Sequence, residues 1–197
     1  MNADEFEALL DRVKWVSNQI ADQGGTRFEW SAQASTGAEV RYEVCGIKPF
    51  QDFQHQTANL LIWTWSLKDY LKSLFKDHGV DAQLVEDAVN TSRELSICAD
   101  LANRSKHPDP NRSRSGLFPK LGKVGFDIPQ NALRSIALAA SNEYSIAVEQ
   151  PELVRYRAPV LDQSGNKIAD AIEICTRALD QWRDLVRRHG LEKYLQL

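Results

Sequence analysis

The chain is 197 residues long and carries 24 Lys and Arg against 27 Asp and Glu, a formal net charge of −3 with a pI near 5.8. That length predicts a single domain, residues 1–197, burying roughly 70% of the surface its unfolded chain exposes, and that charge excludes generic coating of DNA or anionic membrane, so any nucleic-acid site is local. Cys45, Cys98 and Cys175 form no C-x-x-C pair, and the start Met1-Asn2-Ala3-Asp4-Glu5 lacks the basic residues and apolar run of a signal peptide; with no apolar stretch near about 18 residues, a cytoplasmic protein without a membrane partner is expected.

Phe6, Leu9, Leu10, Val13, Val16 and Ile20 recur at three- and four-residue steps, predicting a helix over 4–22 with Asp4 as N-cap and Gly24-Gly25 as its stop. From Thr26 to Gly46, Phe28, Trp30, Val40, Tyr42 and Val44 alternate with polar residues around Ser35-Thr36-Gly37, a weak hairpin or ordered loop. Pro49 opens the strongest helix, in which Phe53, Leu60, Leu67 and Leu74 recur every seven residues beside Trp63, Tyr70 and Leu71, as a central helix packed on more than one side requires. Asp69 is its odd residue, paired with Lys68 or Lys72 or turned to the next helix. After His78-Gly79 a second helix, over 81–107, completes an antiparallel hairpin of residues 50–107.

That second helix ends in Cys98-Ala99-Asp100-Leu101-Ala102-Asn103-Arg104-Ser105-Lys106-His107 and is stopped by Pro108. At about 100° per residue, Arg93, Asp100 and His107 line up one heptad apart, flanked by Asn103 and Arg104. Leu84, Ala88, Leu95, Cys98 and Ala102 fall on the opposite side. Two readings stand open: a solvated face whose last-turn cations complement the helix dipole, or a site in which Asp100 orients His107 while basic groups hold phosphate. The antiparallel hairpin brings His55 within range of His107 as a further candidate. Pro108 to Gly116 is loop by composition, and from Arg104 to Lys123 six cations (Arg104, Lys106, Arg112, Arg114, Lys120, Lys123) face one acid, Asp109.

Val124–Asp127, Tyr144–Glu149 and Leu153–Leu161 read as strands, forming a β insertion over 124–161, with a turn at Asp162-Gln163-Ser164-Gly165-Asn166; residues 131–140 suit either helix or strand. Ile168, Ile172, Cys175, Leu179, Trp182 and Val186 share one face of a closing helix over 167–189, with Gly190 as its stop. The predicted class is mainly α: a helical bundle with a small antiparallel sheet or hairpin before the last helix.

Trp65-Ser66-Leu67-Lys68-Asp69-Tyr70 on one long helix, Asp100-x-x-Asn103-x-x-Lys106-His107 at the end of a second, then strands and a closing helix with Trp182, resemble an uncharacterised bacterial branch of the HEPN superfamily, over roughly residues 50–190. The resemblance implies a metal-independent, cofactor-free endoribonuclease, or a non-catalytic RNA-binding module, of a toxin–antitoxin or phage-defence system. It also implies a homodimer and a possible partner protein. In that picture His107 moves a proton at a ribose 2′-hydroxyl, Lys106 or Arg104 stabilises the phosphorane, Asp100 holds the imidazole tautomer beside Asn103, and Arg112, Arg114, Lys120 and Lys123 bind the RNA backbone. The usual signature of that superfamily, Arg, four to six residues, then His, is not met by Arg104 and His107, so Lys106 with His107 would replace it. Arg183 and His189 match formally, in a helix end crowded by Arg187 and Arg188. The alternative is a non-catalytic interaction or scaffold module, antitoxin-like in character. No G-x-S-x-G, P-loop, dinucleotide fingerprint or H-E-x-x-H occurs.

Overall fold

The computed structural model describes residues 3–107 and 111–194. The chain divides into two compact units, one of Met1–Asn18, His55–Lys123 and Ala158–Leu197, the other of Gln19–Gln54 and Val124–Arg157.

The first unit is mainly helical. In α1 (Ala3–Ala21), Leu9, Leu10, Val13 and Val16 are buried at the expected three- and four-residue spacing; the side chains of Asp4 and Phe6 lie outside the described residues. Helix α2 (Phe50–Asp77) buries Leu60, Leu67 and Leu74 of the heptad series together with Leu61, Tyr70, Leu71 and Phe75, so it is packed on more than one side. Asp69 is exposed and stands 3.4 Å from Lys68.

The single helix expected over 81–107 is two helices, α3 (Gln83–Thr91) and α4 (Arg93–Lys106). Ser92 is extended (φ −96°, ψ 124°), and its side chain accepts the Leu95 N–H at 3.0 Å, the geometry of an N-cap. The break resets the phase: Val85 and Val89 are the buried residues of α3, in place of Leu84 and Ala88. Across it Ser96 Oγ donates to the Val89 carbonyl at 2.7 Å. Helix α5 (Ala171–Arg188) starts four residues later than the expected 167, because Asp170 caps it by accepting the Ile172 N–H at 3.0 Å. Trp182 is fully buried and donates to the Thr64 carbonyl at 3.2 Å.

The strands overturn the mainly-α class with one small hairpin. They form three sheets of four, three and two strands. In chain order they are β1 (Gly24–Gln33), β2 (Glu39–Ile47), β3 (Lys120–Leu121), β4 (Gly125–Asp127), β5 (Leu133–Ala140), β6 (Glu143–Val148), β7 (Arg155–Arg157), β8 (Pro159–Leu161) and β9 (Lys167–Asp170). Strands β3, β8 and β9 form an antiparallel sheet in the helical unit, and Ile168, read as helical, belongs to β9.

The second unit is built on the mixed sheet β1-β2-β6-β5 and the pair β4-β7. Its β1–β2 and β5–β6 pairs are antiparallel, while β2 and β6 run parallel, Tyr42 beside Tyr144 and Val44 beside Ile146. A parallel pair needs a long crossover, here some hundred residues of chain, which local periodicity does not reveal. One face of this sheet is its core: Phe28 and Val44 are buried with Ile47, Ala132, Val148 and Val154, against Phe50, Phe126 and Tyr156. Gly46 has φ +93°, and a Cβ there would meet the Val148 carbonyl oxygen, so only glycine lets β2 reach β6 at this point. Lys48 is buried, its ammonium donates to the Gln19 carbonyl and its own carbonyl accepts the Tyr156 hydroxyl; burial lowers its pKa below the ordinary lysine value.

Candidate functional site

The site is assembled from the end of α4, the loop that follows it, and the facing sides of α2 and α3. Its centre is Asp100, only 6% exposed. The carboxylate accepts four hydrogen bonds, from Ser113 Oγ (2.6 Å), Ser115 Oγ (2.6 Å), Arg114 N–H (2.7 Å) and Ser115 N–H (3.0 Å). Ser113 Oγ also accepts the Phe118 N–H and Ser115 Oγ the Leu117 N–H, both at 3.2 Å. Gly116 and Phe118 turn the chain with positive φ. A buried ion is retained when such donors satisfy it, and here they wind residues 113–118 around one carboxylate.

His107 is the C-cap of α4, its N–H bonded to the Asn103 carbonyl at 2.9 Å. Its ring is exposed, and among the described residues no side-chain hydrogen bond holds it. Asp100 therefore serves the loop rather than the imidazole, the expected Asp100–Asn103–His107 grouping is not formed, and exposed His55 makes neither hydrogen bond nor ring contact with His107. Asn103 is exposed and Arg104 half-buried. The side chain of Lys106 and residues Pro108, Asp109 and Pro110 lie outside the described residues.

The basic residues divide into two sets. Arg114 is held: its guanidinium lies 3.2 Å from Glu86 and 3.3 Å from Asn90 Oδ1, over the Trp65 ring at 5.5 Å. Glu86 also takes Lys72 at 3.0 Å and Lys68 at 3.3 Å, and Lys68 shares the Trp65 ring at 4.9 Å. Burial alone would raise the Glu86 carboxyl, but Lys72, Lys68 and Arg114 outweigh it and hold the pKa at about 2. The second set, Arg112, Lys120 on β3 and Lys123, is exposed to solvent.

Sequence reasoning missed Glu86 and Trp65 as members of this cluster. The available signals were the steps Trp65, Lys68, Lys72 on one face of α2 and Glu86, Asn90 on one face of α3; they become a site only once α2 and α3 face each other. The formal pair Arg183 and His189 is engaged elsewhere: Arg183 lies 2.6 Å from Asp180, and the His189 ring, at the C-cap of α5, sits edge-on to Phe75 with centroids 5.2 Å apart.

Among the described residues no three His, Cys, Asp or Glu side chains form a metal-ligating group, and no helix is long and apolar enough to cross a membrane. Comparison with protein-family models, curated proteins and solved structures finds no match.

Proposed function

We propose that this chain is an HEPN-like RNA-binding protein, of the kind found in toxin–antitoxin or phage-defence systems, and that it grips the RNA backbone along the segment from Arg104 to Lys123. The observation that carries the reading is the bracing of this segment. Asp100 fastens residues 113–115 with four hydrogen bonds and Glu86 fastens Arg114, while Arg112, Lys120 and Lys123 remain open to solvent. Cations on a pre-organised backbone lose little entropy on meeting phosphates, and phosphate contacts supply most of the sequence-independent affinity. Asp100-x-x-Asn103-x-x-Lys106-His107 and its place at the end of a long helical stretch support the HEPN-like assignment.

The reading is binding without cleavage. Metal-free cleavage needs an oriented imidazole, and the carboxylate that would orient it is taken by the loop. The test is to mix the protein with total RNA in EDTA, then separate bound from free RNA and examine its length. Retained, intact RNA is expected; cleavage that His107→Ala abolishes would restore the ribonuclease reading, and RNA that is never retained would remove both.

A further inference from the structure

Strand β5 is an edge strand of the mixed sheet, paired among the described residues with β6 alone. From Arg134 to Ala140 every residue is exposed. Ile136 is 59% and Leu138 66% exposed, beside Tyr144 at 37% on β6. Edge strands are ordinarily blunted by lysine, proline, inward charges or a covering segment. Leu133-Arg-Ser-Ile-Ala-Leu-Ala-Ala140 has a single charge, Arg134, no lysine and no proline, and its register shifts, between Leu133 and Ser135 and between Leu138 and Ala140, leave Ser135 to Leu138 as a regular, uncovered stretch.

The apolar side chains on this edge finish rows that cross the whole sheet. Trp30 lies beside Tyr42, Tyr42 beside Tyr144 and Tyr144 beside Leu138, with ring centroids 4.2 and 5.7 Å apart for the two aromatic steps. The next row is Phe28, Val44, Ile146 and Ile136. Both rows end at β5 on an aliphatic side chain without a neighbour strand.

We infer that β5 pairs with β5 of a second copy of this chain, antiparallel about a two-fold axis at Ala137. The strand is self-complementary in that register. Ile136 faces the second copy's Leu138, so the row that begins at Trp30 in one copy continues into the row that ends at Phe28 in the other. Charge selects the same arrangement. A parallel pairing in register sets Arg134 beside its own copy, whereas the two-fold about Ala137 places the two Arg134 residues at opposite ends of the paired stretch. Such an isologous contact is closed, so it yields a dimer rather than a fibre. The inference is independent of the RNA reading.

Analytical ultracentrifugation of the intact chain tests it, beside Ile136→Lys/Leu138→Lys and two cysteine variants. The wild type should sediment as a dimer, and the double variant as a monomer with unchanged circular dichroism. Ala137→Cys should form a disulfide-linked dimer on mild oxidation, since directly opposed residues in an antiparallel pair have Cα atoms about 4.5–5.5 Å apart; Arg134→Cys should not. A monomeric wild type, a dimer that survives the double lysine change, or cross-linking by Arg134→Cys in place of Ala137→Cys would overturn the inference.

Discussion

Asp100 shows how one side chain converts a polar loop into fixed structure. Its carboxylate is almost fully buried and satisfied by two hydroxyls and two backbone N–H groups of residues 113–115. Asp100→Ala is expected to lower stability by roughly 1–3 kcal/mol, because charge-assisted bonds are lost together and their donors must find water; urea unfolding measures this, and a change within the noise of a surface substitution would contradict the loop's dependence on Asp100. Glu86 carries a pH prediction. Its folded pKa of about 2 is depressed, so its contribution is fully present above its unfolded value of about 4.5 and is lost as pH falls toward 2. Glu86→Gln should therefore lower stability at neutral pH by roughly 1–3 kcal/mol and flatten the acid limb between pH 5 and 2; an acid limb identical to wild type would contradict it. At this scale the sequence marks Asp100 as a special residue but hides its partners. The heptad points toward His107, whereas the donors come from Ser113, Arg114 and Ser115, which follow Pro108 and Pro110 in the sequence and have no periodic relation to α4.

At the scale of the element, legibility depended on how local the determinant is. The heptads of α2 and the face of α5 around Trp182 are written in their own residues and reappear as buried side chains. The break between α3 and α4 was equally local: Asn90-Thr91-Ser92 followed by Arg93-Glu94 contains a good N-cap residue, but the apolar periodicity runs across it and masks it. Ser92→Ala should cost about 1 kcal/mol, read as a lower urea midpoint at unchanged slope, and an unaltered midpoint would show that packing alone enforces the break. Strand β5 was ambiguous because Ile136-Ala137-Leu138-Ala139-Ala140 suits a helix by propensity and lacks the polar alternation of a half-buried strand. Its side chains are exposed in the single chain because the strand ends the sheet, which is the setting in which a pairing partner supplies the missing contacts. The parallel pairing of β2 with β6 is the least legible feature, since register between distant strands is set by tertiary contact.

For the molecule as a whole, a net charge of −3 coexists with a local run of exposed cations, so the proposed RNA contact rests on placement rather than on total charge. The proposed RNA contact lies in the helical unit and the proposed self-association at β5 in the sheet unit. The proposal that Arg112, Lys120 and Lys123 touch RNA phosphates is tested most directly by fluorescence anisotropy of a single-stranded RNA against salt for the wild type and for the triple alanine variant. Each phosphate contact adds about 0.7 to the slope of log affinity against log salt for single strands, so the variant should bind more weakly and lose about 2 from that slope. Equal affinity and equal slope in both proteins would contradict the claim.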